Sequence, residues 1–170
     1  MATTLRTPRL DLAAFVLEDA EGLHALFSDP LTHTFVSGPI TDIAKTREWI
    51  ARRREAHECR GLAWYAIRAR SSDVLIGNCG LFLGRTGDDP EIGLEVAHRE
   101  RGHGIAPEAA AAVLGEAHAA GIRRVWATVR PGNTASLRVL DRIGMRLHRR
   151  DDDAHGELLY LCADLGRLGS

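Results

Sequence analysis

The sequence is poor in lysine and has no long apolar run, and each shortage excludes a class of protein. Lys45 is the only lysine in the 170 residues. A P-loop needs a lysine directly after its second glycine, so this chain contains no P-loop. No apolar run approaches the roughly 20 residues that a membrane span requires. The N-terminus also lacks the apolar core of a signal peptide, so we expect a cytoplasmic protein.

Cysteine and net charge are scarce as well. Cys59, Cys79 and Cys162 are far apart and show no Cys-x-x-Cys spacing, and the 8 histidines show no metal-ligand spacing. This pattern predicts free thiols and no metal site. The net charge of −1 offers no electrostatic attraction to nucleic acid or to a membrane surface. With 45% hydrophobic and 26% charged residues, residues 1–170 have the composition of a single globular domain.

What the chain does contain is a strand, a glycine turn and a helix in direct succession, over residues 91–118. Apolar and other residues alternate from Glu91 to Val96, which indicates a strand. A charged turn at 99–104 leads into an alanine-rich helix that begins near Ile105. Pro107 fits the first turn of that helix, where a missing N–H costs nothing. The turn leaves unpaired backbone N–H groups at a helix N-terminus beside arginines, an arrangement that binds anions, most often phosphate.

Two phosphate-binding patterns match this turn to different degrees. A dinucleotide fingerprint needs a third small residue three positions after Gly104, where Pro107 stands, and an acidic residue about 20 positions further on. The next strand ends in the basic Arg130 instead, so this pattern is half matched and stays open. The pattern Arg-x-x-Gly-x-Gly is matched completely by Arg99, Gly102 and Gly104. It resembles the pyrophosphate loop of the GCN5-related N-acetyltransferases (GNAT).

Two further segments resemble the same superfamily. Residues 130–145 look like its "N-x-x-S" helix, with Asn133 and Ser136 at the matching positions and Met145 in place of the usual aromatic residue. Residues 5–12, Leu-Arg-Thr-Pro-Arg-Leu-Asp-Leu, resemble the first strand of the RimJ/RimL-type branch, which acetylates ribosomal-protein N-termini. The resemblance covers nearly the whole chain. Three motifs in order are more specific than any one of them alone.

Apolar periodicity predicts a mixed α/β sheet, and the resemblance implies that helices flank it on both faces. The predicted order is β-α-α-β-β-β-α-β-α-β-β, which matches the GNAT-like fold that the resemblance implies. Gly61, Gly121 and Gly144 are suited to end helices; Thr41 or Asp42 is suited to begin the second helix, and Asn133 the last one. Strands are expected at 5–16, 62–70, 74–83, 91–96, 123–130, 145–150 and 157–163, with an acidic loop at 151–153, and helices at 18–28, 42–59, 105–120 and 133–143.

The resemblance also implies how acetyl-CoA would be held. The N–H groups of residues 101–106 would anchor its pyrophosphate. A backbone N–H from residues 94–96 would polarise the thioester oxygen, at the point where the fourth and fifth predicted strands separate. The candidate CoA-binding residues are Leu94, Glu95, Val96, Arg99, Arg101, Gly102, His103, Gly104, Ile105, Ala106, Asn133 and Ser136.

Three residues are candidates for proton transfer. The resemblance places Ser136 near the sulfur, where its hydroxyl could protonate the departing thiolate; the alternative is a polar residue that merely suits a helical first turn. Glu91 and Glu95 share one strand face and could each accept a proton from the amine, directly or through water; the alternative is a pair of ordinary outward-facing carboxylates. Asn133 is a good N-cap and could also offer its amide to the pantetheine.

The acceptor would be bound by the first helices and the last strands. His33, Trp64 and Tyr65 are candidates for this pocket, although each residue type more often packs in a core. The run at 52–54, Arg-Arg-Arg, is expected to be a solvated helix face.

The leading hypothesis is an acetyl-CoA-dependent N-acetyltransferase without a metal, in which a primary amine attacks the thioester directly. The amine could belong to a peptide N-terminus or to a small molecule. A non-catalytic acyl-CoA-binding module and, on the half-matched fingerprint, a nicotinamide-dependent enzyme remain as alternatives. Related enzymes often form dimers, so the resemblance also suggests a homodimer.

Overall fold

The computed structural model describes residues 1–32 and 38–167. In this part of the chain the strands are β1 (Thr4–Arg6), β2 (Leu10–Ala14), β3 (Trp64–Ala69), β4 (Leu75–Phe82), β5 (Glu91–Val96), β6 (Arg124–Val129), β7 (Arg146–Asp153) and β8 (Gly156–Asp164). The helices are α1 (Ala20–Phe27), α2 (Ile43–Arg60), α3 (Ile105–Ala119) and α4 (Thr134–Arg142). The strands form one mixed sheet in the order β1-β2-β3-β4-β5-β6-β8-β7, which confirms the predicted α/β fold.

The single strand predicted at 5–16 is wrong, because the chain turns back on itself after Arg6. The Thr7 N–H donates to the Leu10 carbonyl at 2.9 Å and closes a tight turn. β1 and β2 then pair as an antiparallel hairpin, with Leu5 opposite Leu12. Pro8 lies in the turn, where its missing N–H breaks no ladder hydrogen bond.

The acidic loop predicted at 151–153 is also wrong. These residues continue β7, and the ladder with β8 runs on until Asp153 lies opposite Gly156. Ala154 and His155 form the turn, which Gly156 completes with a φ of +93°. Charged side chains are tolerated here because β7 is an edge strand and almost entirely exposed.

The predicted helix ends are confirmed by their hydrogen bonds. The Asp42 carboxylate accepts the Ala44 N–H at 2.9 Å at the start of α2. Gly61 ends that helix with a φ of +69°, a left-handed conformation that glycine adopts without strain. Asn133 caps α4 by accepting the Ser136 N–H at 3.1 Å. These contacts are local, which is why residue type alone predicted them.

Each face of the sheet is covered by its own pair of helices. Cys79, Leu81, Ile92 and Val96 point to the face that packs against α3, and α4 extends this core. The opposite face carries a smaller, more aromatic cluster under α1 and α2, formed by residues such as Phe15, Phe27, Ile50, Trp64 and Leu75. Burying one large apolar side chain contributes roughly 1.5–3 kcal/mol to the stability of the fold. The side chains buried under each pair of helices therefore both stabilise the central strands.

The feature of the fold that matters for function is a gap between β5 and β6. β5 pairs with β4 along its full length, from Glu91 opposite Phe82 to Val96 opposite Gly77. The parallel ladder between β5 and β6 contains one pair, Glu91 opposite Trp126. Beyond Glu91 the two strands diverge, which confirms the expected separation and leaves an opening through the sheet.

Cys59, Cys79 and Cys162 are free thiols, as predicted. Among the described helices, none combines the length and the apolar character needed to cross a membrane. The described residues contain no group of three or more His, Cys, Asp or Glu side chains that could hold a metal ion.

Candidate active site

The turn before α3 presents a row of unused backbone N–H groups. Gly102 and Gly104 have φ angles of +82° and +76°, in the left-handed region that favours glycine. Within the described residues, no acceptor is found for the N–H groups of 102–106. Together with the positive end of the α3 dipole, these groups form a binding site for an anion.

The first hairpin holds this turn in place, a role that sequence reasoning missed. The Arg9 guanidinium donates from Nη1 to the His103 carbonyl at 2.8 Å and from Nε to Glu108 Oε2 at 2.6 Å. The Thr7 hydroxyl donates to Glu108 Oε1 at 2.6 Å. Burial acts to raise the pKa of the Glu108 carboxyl, but the hydrogen bonds from Thr7 and Arg9 outweigh it and lower that pKa. The signal in the sequence was the Thr-x-Arg of the opening segment.

A cavity of about 390 Å³, the turn cavity, lies between the glycine turn, β5 and α4. Arg99 and His103 are exposed and do not line it. Arg138 and Arg142, four residues apart on α4, line it and were not predicted. All the other predicted CoA-binding residues line it, namely Leu94, Glu95, Val96, Arg101, Gly102, Gly104, Ile105, Ala106, Asn133 and Ser136.

A second cavity of about 520 Å³, the aromatic cavity, extends from the sheet face that α1 and α2 cover into the gap between β5 and β6, where Ala110 of α3 and Leu140 of α4 also line it. Phe27, Trp49, Trp64 and Phe82 form much of its wall. Residues shared by the two cavities stand at the gap between β5 and β6, namely Leu94, Glu95, Asn133, Ser136 and Val139. A molecule in the turn cavity can therefore meet a molecule in the aromatic cavity through the gap in the sheet.

Backbone N–H groups also face this gap. The Ala97 N–H donates to the Ile76 carbonyl of the β4 side at 2.9 Å. Successive N–H groups along a strand point to opposite sides, so those of Leu94 and Val96 point toward β6. They have no acceptor among the described residues, because β5 and β6 pair only at Glu91. They can donate to an oxygen that carries developing negative charge.

Ser136 lies at the junction of the two cavities. Its N–H is used by the Asn133 cap at 3.1 Å, whereas its hydroxyl has no partner among the described residues. The Asn133 amide nitrogen is equally unused there. Both groups can therefore contact a bound molecule without giving up a hydrogen bond of the fold.

The two candidate carboxylates have different environments. Glu91 is 1% exposed, so the alternative of an ordinary outward-facing carboxylate is wrong for this residue. Its Oε1 accepts the Arg85 N–H and its Oε2 accepts the Thr128 hydroxyl at 2.8 Å. Glu91 thus ties the turn at 84–90 to β6. Glu95 is half-buried and lines both cavities, which places it nearest to the gap.

Of the residues considered for the acceptor pocket, Trp64 lines the aromatic cavity. Tyr65 points to the other sheet face, where it is fully buried and its hydroxyl donates to the Ala2 carbonyl at 2.8 Å. Burial raises the pKa of its phenol, with Glu116 adding to the shift. Tyr65 is therefore a core residue and not a pocket residue, because neighbouring strand positions face opposite ways. His33 lies outside the described residues.

Arg53 departs from the expected solvated face at 52–54. Its guanidinium carbon lies 4.3 Å from the ring centroid of Trp64, 4.9 Å from that of Trp49 and 5.1 Å from that of Phe82. Burial, with a smaller contribution from Arg52, lowers the pKa of this guanidinium to about 10, so it stays protonated at neutral pH. A cation held against three aromatic rings lines the aromatic cavity.

Comparison with known proteins agrees with this geometry. The family model described as "Acetyltransferase (GNAT) domain" matches residues 9–146. YkkB of Bacillus subtilis, an uncharacterized protein, is 32% identical over 147 residues, which cover 84% of this chain and 85% of that protein. The uncharacterized N-acetyltransferase p20 of Bacillus licheniformis is 28% identical over 162 residues, covering 92% and 91%.

Among solved structures, a ribosomal-protein α-N-acetyltransferase, RimL, in complex with coenzyme A has the same fold. Its TM-score is 0.83 at 19% identity, and the match covers 96% of this chain and 98% of that one.

Proposed function

Because the chain belongs to the acetyltransferase (GNAT) domain family, we propose that it transfers an acetyl group from acetyl-CoA to a primary amine. The observation that carries the proposal is the pair of cavities that share Glu95 and Ser136 at the gap between β5 and β6. Acetyl-CoA enters from the turn cavity and the amine from the aromatic cavity. The two reactants then meet at this gap, so the amine attacks the thioester directly.

The residues around the turn cavity suit a coenzyme with a pyrophosphate. The unused N–H groups of 102–106 bind its oxygens, and Arg101, Arg138 and Arg142 add positive charge at the cavity wall. The unused amide nitrogen of Asn133 is available to the pantetheine arm. The RimL structure, with coenzyme A in a protein of the same fold, supports this assignment.

The reaction needs one proton removed and one supplied. The amine nitrogen forms a bond to the thioester carbon, the carbon–sulfur bond breaks, and the amine loses a proton while the thiolate gains one. We assign the proton removed from the amine to Glu95, directly or through water, because Glu95 lines both cavities at the gap between β5 and β6. The Ser136 hydroxyl supplies the proton to sulfur, and the N–H groups of Leu94 and Val96 stabilise the charge on oxygen.

The test is a panel of amines assayed with acetyl-CoA by the release of free thiol. The panel contains small amines and short peptides with free N-termini. The peptides are included because the fold is similar to that of RimL. Amine-dependent thiol release supports the proposal. Binding of CoA without thiol release for any amine would instead favour a non-catalytic acyl-CoA-binding module. A larger thermal stabilisation by NADP than by CoA would revive the nicotinamide alternative.

A further inference from the structure

We propose that the acceptor is an amine that also carries a carboxylate, and that Arg53 and Asn78 bind this carboxylate on the wall of the aromatic cavity. The inference rests on the proposed acetyl transfer, because it names the class of amine that enters the same site. It is carried by two polar side chains that line this cavity with hydrogen-bond donors left unused.

The first of these is Arg53. Within residues 1–32 and 38–167, its buried Nε has no hydrogen-bond partner and its side chain forms no ion pair. The rings of Trp49, Trp64 and Phe82 hold the guanidinium by cation–π contacts, but a ring offers no oxygen to its N–H groups. A buried donor without an acceptor is costly. A carboxylate in the cavity supplies the acceptor and can take two parallel N–H bonds.

The second is Asn78, which is 2% exposed. Its Oδ1 accepts the Trp64 indole N–H at 3.0 Å, and this bond determines which end of the amide is the donor. Its Nδ2 is buried and has no acceptor among the residues that the structure describes. Arg53 lies over the same indole ring, so both unused donors adjoin Trp64 on one side of the cavity. Two unused donors at one place indicate an anionic or strongly accepting group in the ligand.

The position of Trp64 is itself held by the sheet. Trp64 lies opposite Gly80 on β4, and Gly80 lies opposite Gly93 on β5. A Cβ at Gly80 would come within 2.7 Å of the indole Cγ, and one at Gly93 would also collide with the ring. The indole therefore packs directly against the backbone at these two glycines, where any larger residue would displace it. The donors beside it are pre-organised, which lowers the entropic cost of binding.

Arg53 differs from the other two arginines around the cavity, because each of those is paired with a carboxylate. Arg130 binds Asp153 with two hydrogen bonds of 2.7 and 2.8 Å, and Arg85 binds the same carboxylate at 3.0 Å. Of the three arginines that line this cavity, Arg53 alone has no carboxylate partner within the described residues. On the same sheet face, Glu95 stands opposite Asn78 in the ladder of β4 with β5. Cross-strand neighbours lie about 5 Å apart.

The wall thus has a cationic donor at Arg53, a neutral amide donor at Asn78 and a carboxylate at Glu95, near the gap. This arrangement complements a molecule with a carboxylate at one end and an amine at the other. It disfavours polyamines, because their second cation would face Arg53. It also does not favour a peptide N-terminus, because the first carboxyl group of a peptide is an amide and carries no charge to pair with Arg53. The cavity volume of about 520 Å³ admits a molecule the size of an amino acid.

The experiment compares acids with their carboxamides in wild type and in Arg53→Met. The acceptors are L-phenylalanine with L-phenylalaninamide, and β-alanine with β-alaninamide. We expect wild type to prefer the acid of at least one pair, and Arg53→Met to raise KM for that acid by roughly 10-fold or more while leaving the amide within about 2-fold. Comparing the same pair across variants cancels the difference in amine basicity between acid and amide.

The matched control is Arg52→Met, which removes the same charge from the exposed neighbouring position on α2. It should leave the preference for the acid unchanged. A second variant, Arg53→Lys, retains the charge but not the planar fork, and should keep a reduced preference. Equal effects of Arg53→Met on acid and amide, or a wild-type preference for the amides, would overturn the inference and leave Arg53 as a packing residue.

A binding measurement separates this inference from the proposed reaction. Melting curves are recorded with each acid and amide in the presence of CoA. If no amine releases thiol, yet an acid still stabilises wild type and not Arg53→Met, the carboxylate site stands and the acetyl transfer fails. If thiol is released but acids stabilise both proteins equally, the acetyl transfer stands and the carboxylate site is overturned.

Discussion

The Arg9 guanidinium and the His103 carbonyl are joined by a hydrogen bond of 2.8 Å, which connects the first hairpin to the glycine turn before α3. The same guanidinium also binds Glu108 in the first turn of α3. One side chain therefore positions the loop whose N–H groups face the turn cavity, although 94 residues separate Arg9 from His103.

Replacing Arg9 tests this positioning role. Arg9→Met should weaken CoA binding by about 3- to 10-fold, because an untethered loop must be ordered when the coenzyme binds. The KM for the amine should not change, since Arg9 is remote from the aromatic cavity. Arg6→Met is the control, because Arg6 lies in the same hairpin and forms an exposed ion pair with Asp11. CoA affinity equal to wild type in Arg9→Met would reduce Arg9 to a surface residue.

The two glycines of the turn should respond differently to substitution. A Cβ at Gly102 meets open space, whereas one at Gly104 lies 3.2 Å from the Arg9 Nη2 atom. Both positions have a positive φ that a β-branched residue resists. Gly102→Val should weaken CoA binding more than 10-fold by distorting the loop, and Gly104→Val should also lower the melting temperature. Titration calorimetry with CoA checks this, and unchanged affinity in both variants would place the phosphate site elsewhere.

Ser136→Ala separates a catalytic role from a structural one. The N–H of residue 136 still bonds to Asn133 in this variant, so α4 keeps its cap. If the hydroxyl protonates the departing thiolate, kcat should fall about 10-fold or more while CoA affinity stays nearly constant. A normal kcat with a slightly lower melting temperature would show that water or another group protonates the sulfur.

Glu95 and Glu91 should have separable effects. Glu95→Gln should lower kcat by about 100-fold at neutral pH, because it removes the proposed proton acceptor. Glu91→Gln should mainly destabilise the fold, since the buried Glu91 carboxylate accepts hydrogen bonds from Arg85 and Thr128. Turnover and urea unfolding are measured for both. Full activity in Glu95→Gln would transfer the role of base to Glu91 or to water.

The contribution of Asp153 to stability should depend on pH. Hydrogen bonds from Arg130 and then from the His155 N–H lower the pKa of the Asp153 carboxyl from 3.8 to about 2. A carboxyl whose pKa is lower in the folded state stabilises the fold. This stabilisation is fully present above the pKa of the unfolded state and is lost as the pH falls through the pKa of the folded state. The difference in melting temperature between wild type and Asp153→Asn should therefore be constant near pH 6 and shrink between about pH 4 and pH 2. A difference that does not change over that range contradicts the assignment.

Much of the candidate site was predictable from the sequence because it depends on local chemistry. The left-handed glycines of the turn, the Asn133 cap and the alternation of β5 involve residues within four positions of one another. Such patterns reflect backbone sterics and short-range hydrogen bonds, which do not depend on the rest of the fold. Apart from the first strand, which is a hairpin of two strands, the order of strands and helices followed from the same periodicity.

Only the tertiary structure decided which charged and aromatic side chains face the site. Arg53 turns onto Trp64 although its neighbour Arg52 is exposed, Glu91 is buried although its strand mate Glu95 is half-buried, and Tyr65 enters the opposite core. Helices cover both faces of this sheet. The alternation of side chains along a strand therefore shows which of two buried faces a residue is on, but not whether the residue lies in a core or lines a cavity. That distinction arises where β5 and β6 diverge and where two glycines on neighbouring strands leave room for one indole, a packing relationship between residues far apart in the chain.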